Sequence, residues 1–551
     1  MEKRIFLAVV ISIALLALWS VVLPKFFPEL ARKPVPEKPL VERTTTAPTP
    51  ARPVSPDKAV PVVAAAPVAT PVAASAVQTS TIDSPEFTAV FSNRGAQLVS
   101  FQLKKYERKD VKGQHVDLVR SREAGSTDFP FAIEAGQKAI SDRWNASLFT
   151  VSDRTDRGMR VLDYRYSDGR HTITKSFRFD PARPYLFEFS TNVQPPLPYR
   201  VAIGPGVRNI GPQEVDSASV ITGNGVVQAE GKFKIHPREK GEPFQAFDDI
   251  DYVGVEDNYF LTVLQPTTGG QGLLIRRSHT DAATKTKRPD FYAGVNATPE
   301  GTLAGSAFFG PKETKVLDAY GLGEALQLGW FGLIARFFLT ALTWINQYTH
   351  NFGWAIVVLT VIIKIVLYPL QHKSNVSMKK MQRVSPKIEA IKARYKKAKT
   401  DPDQRNKMNM EMMQLYQKEG INPMAGCLPL VIQLPVLWGF YNLLSRAIEL
   451  RGAPWILWFH DLSEKDPTYI LPILMTATMF LQTYLTPATG DPAQRKIFLI
   501  MPLVFGFMFK DFPSGLVLYW LVQNILTIIQ QLIMNKWWKD HPDPPAAPAT
   551  A

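Results

Sequence analysis

Lys364 stands inside TVIIKIVLYPLQHKS, residues 360–374, where an apolar run long enough to cross a bilayer gives way to basic residues. A lysine at the centre of a membrane helix costs roughly 2.5–3.5 kcal/mol on insertion scales, so its presence asks for a purpose. Only about 9 Å of helix separates it from Leu370, and its amine can snorkel to the inner headgroups. The competing reading places it on a wet cavity, with Thr360 one turn before and Tyr368 one turn after completing a polar-capable stripe. Other apolar segments carry Gln433, Thr476, Thr478, Gln482, Gln523 and Asn524. Amides glue membrane helices together at about 0.6–2 kcal/mol each, which accounts for these residues singly. It accounts less well for a cation without an acidic partner inside the spans. Such a charge needs water, headgroups or a transient ligand. A hydrated groove open to the cytoplasm meets that need and attracts acidic or polar groups of a substrate.

The same inventory offers little to an enzyme. The apolar spans hold no histidine, so a serine nucleophile finds no base there, and Asp461 and Asp511 sit in loops. One cysteine, Cys427, and eight scattered histidines build neither a disulfide nor a zinc site. GPGVRNIGP, 204–212, and GTLAGSAFFG, 301–310, read as turns and lack the strand–glycine–helix context of a nucleotide loop. The expectation is a non-enzymatic protein with no metal and no cofactor.

The elements that must position these residues are membrane helices. Residues 5–23, IFLAVVISIALLALWSVVL, are uncharged and follow Glu2, Lys3 and Arg4, which reads as a retained anchor over 1–24. Residues 25–81 form an extended tether, with ten prolines between 31 and 81. Residues 82–315 change to short alternating runs, such as YRYSDGRHTITKSFRFD with Asp168-Gly169 at a turn, and predict an antiparallel β-sandwich. Five further spans are expected at 352–370, 424–444, 469–486, 497–509 and 515–534, making six in all. The fold class is thus a multi-span α-helical membrane protein, with five helices in its core, plus a β-sandwich domain. In domain terms, 351–371 is the second span, 421–535 holds spans three to six, and 536–551 is a short tail.

Charge fixes sidedness. Residues 372–420 hold 13 Lys or Arg against five Asp or Glu, a net of +8, whereas 445–468 net −1. The positive-inside rule puts 372–420 in the cytoplasm, together with both termini, and 82–315 across the membrane. Counting 324–345 as a span would reverse this, so 316–350 is read as an interfacial amphipathic region. The basic loop has order of its own. Ser385-Pro386 can start a helix carrying Ile388, Ile391 and Tyr395, and Asp401-Pro402 caps a second carrying Met408, Met412, Leu415 and Tyr416. Its candidate docking cations are Lys379, Lys380, Arg383, Lys387, Lys392 and Arg394. They suit anionic lipid, RNA phosphate or an acidic partner, without a module for reading a specific nucleic-acid sequence.

NPMAGCLPLVIQLPVLWGFYNLL, 422–444, WFHDLSEKDPTYILPILM, 458–475, and DPAQRKIFLIMPLVFGFMFKDFPSGLVLYWLVQNILTIIQQ, 491–531, carry a resemblance, joined by MKKMQRVSPKIEAI, 378–391. In order and spacing over 317–535 the chain resembles bacterial membrane protein insertases of the YidC/Oxa1/Alb3 family, in the Gram-negative form with a large periplasmic domain. The resemblance implies that newly made proteins enter the inner membrane through a groove, alone or beside the Sec translocon. It also implies a groove arginine, for which this sequence has Lys364, keeping the charge but losing a five-donor fork. The substrate-groove residues so expected are Lys364, Thr360, Tyr368, Gln433, Gln482, Gln523 and Asn524. The implied partners are nascent clients, the Sec translocon, the ribosome and the signal-recognition receptor, besides lipid. With only two lysines in NKWWKDHPDPPAAPATA, ribosome docking would fall to 372–420 and 487–496. A small-solute transporter and a non-inserting assembly chaperone are the rival readings; a transporter would show matched broken-helix repeats, and no second half matches Pro429 and Pro435.

Overall fold

The computed structural model describes residues 70–108, 113–121, 129–205, 223–237, 243–267, 269–280, 287–328, 331–395, 401–420, 428–485 and 492–540. The expected anchor at 5–23 and most of the tether lie outside them. They divide into two compact units, one taking in Tyr368–Pro429 and Phe480–Val504, the other Ala65–Leu367, Leu430–Met479 and Phe505–Ala551.

Alternating apolar residues between Thr79 and Pro311 form, among the described residues, seventeen strands, all antiparallel where paired, in a four-stranded and a thirteen-stranded sheet. The first strand starts at Thr79 and Val72 bridges to Ser167, so the last residues assigned to the tether belong to the sandwich. Asp168-Gly169 makes the expected turn between Met159–Ser167 and Thr172–Phe179, with Gly169 at φ +83. The sheets pack through aromatic rings, Phe91 of one 4.5 Å from Phe177 of the other and Phe101 5.5 Å from Phe309. Lys175 is fully buried between them and donates to the carbonyls of Gly95 at 2.6 Å, Phe131 at 2.7 Å and Ala96 at 3.3 Å.

GTLAGSAFFG is not a turn. It is the strand Thr302–Pro311, paired on both sides, with Phe260–Pro266 and with Leu186–Gln194. Only Gly301, at φ +76, turns the chain. Gly305 is there for closeness: a Cβ would lie 2.3 Å from the Gln265 carbonyl oxygen.

Beyond the sandwich come nine helices among the described residues if the short Lys138–Ala146 (α1) and Thr314–Ala319 (α2) are included. Gly332–Thr349 (α3) starts later than the expected 324 and runs further than 345. It buries Phe338, Leu339, Leu342 and Ile345 and exposes Leu333, Phe337, Trp344 and Tyr348. Phe352–Arg394 (α4) is followed by Pro402–Lys418 (α5), Leu428–Arg446 (α6), Ile470–Leu485 (α7), Pro492–Phe509 (α8) and Ser514–Asp540 (α9). Among the described residues two helices, Phe352–Arg394 and Ser514–Trp537, are long and apolar enough to cross a membrane, and Ile470–Leu485 and Phe498–Phe509 are shorter apolar helices.

One buried polar joint ties the sandwich to the end of α6. Glu256 and Lys312 pair at 2.6 Å, both nearly inaccessible, and Gln327 donates to the other Glu256 oxygen at 3.4 Å. Arg446 in turn donates to the Gln327 carbonyl, and Asn258 to the Ser445 carbonyl at 3.3 Å. Glu449 accepts from the Thr314 amide at 3.1 Å, and Arg451 donates to the Glu107 carbonyl at 3.0 Å. Burial raises the Glu256 and Glu449 carboxyls above their usual range, against the pull of Lys312 on Glu256 and of the Thr314 amide on Glu449.

Candidate groove and cytoplasmic hairpin

Lys364 does not extend to the surface. Its side chain is 8% exposed, and Nζ donates to Thr527 Oγ1 of α9 at 2.9 Å. That hydroxyl spends its own proton on the Gln523 carbonyl at 2.7 Å, which leaves its lone pairs as fixed acceptors for the ammonium. Among the described residues Lys364 forms no ion pair and no second hydrogen bond, so two of its three N–H donors have no protein acceptor.

The expected stripe along α4 is shorter than the sequence suggests. Thr360 is buried, but its hydroxyl is already used by the Ile356 carbonyl at 2.6 Å. Tyr368 is 47% exposed and stacks on His372. Eight residues of α-helix separate Thr360 from Tyr368 and accumulate about 80° beyond two full turns, so those two do not share one narrow face.

The stripe that does form runs along α9. Tyr519 accepts a hydrogen bond from Gln433 of α6, Gln523 and Thr527 follow at four-residue steps, and Gln530 comes three later. Gln523 is 9% exposed with an unpartnered Oε1, and Gln530 is 8% exposed with neither amide atom partnered. Ile525, Ile529, Leu532 and Ile533 point out on the opposite side of the same helix. Asn524, one position round, donates to the Met475 carbonyl and to Thr478 Oγ1, both at 3.3 Å, and ties α9 to α7 instead. Gln482 is half-buried and belongs to the other unit. The structure thus gathers Lys364, Gln433 and Gln523 about α9 and turns Asn524 toward α7, while Tyr368, like Gln482, falls in the other unit. Thr527, Gln530 and Tyr519 escaped the sequence reading. Their signal was available, since they fall on one face with Gln523.

The basic segment folds as an antiparallel pair. Val384, Ile388 and Ile391 of α4 pack on Met408, Met412 and Leu415 of α5. Asp401 caps α5 through Oδ1, accepting from Asp403 N at 2.9 Å and Gln404 N at 3.4 Å, with Pro402 in the first turn. Ser385-Pro386, however, starts nothing: α4 is one helix of 43 residues with Pro369 and Pro386 inside. The apolar stripe continues through Pro386, and packing against α5 outweighs the one backbone bond a proline removes. Lys387 and Arg394 are committed to Glu419 at 2.7 Å and Glu411 at 2.8 Å. Lys380 and Arg383 are exposed, while Lys379 and Lys392 are half-buried.

No group of three or more His, Cys, Asp or Glu that could hold a metal ion occurs among the described residues.

Two family models match. One, described as 60Kd inner membrane protein, covers residues 344–541, and the other, described as YidC periplasmic domain, covers 79–341. A "Membrane protein insertase YidC" of Geobacter metallireducens is 34% identical over 97% of this chain and 98% of its own length. One of Syntrophus aciditrophicus is 35% identical over 97% of this chain and all of its own. A crystal structure of an active YidC insertase matches with a TM-score of 0.35 and 20% identity, covering 83% of this chain and 92% of that one, a likeness too distant to add to the sequence relation. With relatives at this identity along nearly its whole length, the chain belongs to the YidC family of membrane protein insertases, as an inner-membrane protein with a periplasmic β-sandwich domain.

Proposed function

We propose that this chain places newly made membrane proteins into the inner membrane along a hydrated groove whose fixed charge is Lys364. The observation that carries the reading is an ammonium nine-tenths buried in an apolar helix and tied, among the described residues, only to a neutral hydroxyl. A dry site would not keep that charge, because burying an unpaired ion is among the costliest events in folding. Water reaching Lys364 from the cytoplasm resolves the cost and lowers the barrier for a client's hydrophilic tail. The ammonium attracts acidic groups on that tail. The client's apolar segment then moves into lipid, driven by roughly 25 cal/mol per Å² of apolar surface removed from water. No step requires a nucleotide or a covalent intermediate, and the protein acts without enzymatic chemistry.

The arrangement in the membrane is six spans with both termini cytoplasmic. Supporting it are the +8 charge of 372–420 against −1 for 445–468, and the outward apolar faces of α4, α7, α8 and α9. Helix α3, with Leu333, Phe337, Trp344 and Tyr348 outward, lies along the periplasmic headgroups. The hairpin of α4 and α5 meets the ribosome, the signal-recognition receptor or anionic lipid through Lys380 and Arg383, and the Sec translocon is the membrane partner.

The test is reconstitution. Purified full-length chain in liposomes should insert a single-span client with an acidic tail and protect that tail from external protease. Lys364→Met should lower protection of the acidic tail several-fold while changing a neutral tail little. Absence of protection by the unaltered protein would remove the assignment.

A further inference from the structure

Five neighbouring strands of the larger sheet, Thr150–Asp156, Met159–Ser167, Thr172–Phe179, Leu186–Gln194 and Thr302–Pro311, pair in a register that lines up one residue from each on the face away from the sandwich core. The row reads Ser152, Asp163, Ser176, Ser190 and Ala304. Thr267 closes it, its amide donating to the Ala304 carbonyl at 3.0 Å. The solvated face of an antiparallel sheet is polar, but it does not have to be hollow. Here no side chain in the row is longer than an aspartate, while the rows on either side are taller, with Arg165 in one and Arg178 opposite Glu188 in the other. The result is a trough of two adjoining cavities, about 470 and 450 Å³, that share Ser176 and Ser190.

The lining is hydroxyl-rich and its charges are matched. Asp163 accepts from Ser176 Oγ at 2.6 Å and, through its other oxygen, from Arg154 at 3.1 Å. Arg178 stands directly across from Glu188. Ser152 and Ser190 are exposed, and among the described residues no protein group takes their hydroxyls. Extended peptides are recognised at free strand edges or by apolar holes for alternate side chains. Neither is offered: four of the five strands are paired on both sides, and Tyr164, Phe177 and Phe189 are buried on the core side. We propose that the trough binds an uncharged oligosaccharide lying across the strands. A serine or threonine hydroxyl donates once and accepts twice, as a sugar hydroxyl does, so the two surfaces exchange hydrogen bonds in kind. Arg165 adds a fork of donors at the rim, suited to a pair of neighbouring hydroxyls. Six strands spaced about 4.8 Å apart carry the row over about 24 Å, room for several linked rings. With no exposed aromatic ring in the lining to stack on, a long glycan held at many weak points fits better than a single sugar. The sandwich thereby becomes a lectin-like module that holds the insertase against envelope glycans. This site is independent of the groove at Lys364.

The experiment is saturation-transfer NMR on the full-length chain, in a detergent without a sugar headgroup. The probes are maltopentaose and chitopentaose, a plain and an N-acetylated neutral glycan, which tell the two sources apart. Transfer to at least one is expected. Ser190→Arg, which sets a long cation on the floor of the trough, should lower it about fivefold or more. If that variant does not show the melting transition of the unaltered protein, Ser152→Ala with Ser190→Ala decides instead, with an expected loss of about threefold. Four results would overturn the site: no transfer to either glycan, transfer that survives in the deciding variant, stronger transfer to the carboxylated pentagalacturonate, or stronger transfer to an extended glycine–serine peptide.

Discussion

Individual charges in this protein are buried in two different ways, and each makes its own prediction. Glu256 and Lys312 form a closed pair, so removing one member strands the other. Lys312→Met should cost about 3–5 kcal/mol, while the double change to apolar residues at 256 and 312 should recover most of it. Denaturant unfolding of the full chain in micelles measures both. Lys175 is different, since its partners are carbonyls and burial pushes its amine down to about 7 from the ordinary 10.5. Between those values the unfolded chain holds a proton that the folded chain has released. Stability from this group therefore rises with pH from about 7 upward, and is lowest below it. Lys175→Met should flatten that part of the stability–pH curve, as read by hydrogen exchange of the sandwich amides. Lys364 was conspicuous in the sequence because a charge in an apolar run stands out from its neighbours. The acceptor that holds it, Thr527, was not, because a single hydroxyl in a membrane helix has no such contrast.

At the scale of elements, the sequence was legible where a residue has one structural use and misleading where it has two. Asp401-Pro402 announces a helix start and makes one. Asp401→Ala should loosen α5 by about 1 kcal/mol, seen as faster amide exchange in its first two turns with little change in the sandwich. Pro386 announces a start as well, yet sits within α4, because the stripe of Met381, Val384, Ile388 and Ile391 is paired all along its length. Glycines in 301–310 divide the same way: Gly301 turns the chain, whereas Gly305 lets two strands approach. Gly305→Val should unfold the sandwich or lower its melting temperature sharply, since the nearest obstacle is backbone and cannot step aside. The missed helix Lys138–Ala146 has only Ser141 and Trp144 buried, too little apolar periodicity to read in advance.

For the whole molecule, the distribution of apolar length and charge pointed to a membrane protein and carries the proposed sidedness, because bilayer thickness and loop charge are properties of long segments. Which helix faces meet inside the bundle is a property of single turns, and it needed coordinates. Sidedness has a direct check in a Cys427→Ser background. A cysteine replacing Asp403 should react with an impermeant maleimide only from the cytoplasmic face, and one replacing Glu230 only from the periplasmic face. The joint at the top of α6 has a mechanical side. Four parts of the sandwich and its trailing segment, at Glu107, Asn258, Thr314 and Gln327, grip residues 445–451. A torque applied to the sandwich by anything that seizes it is thereby delivered to the axis of the helix bearing Gln433. The outer domain is a handle on the membrane core.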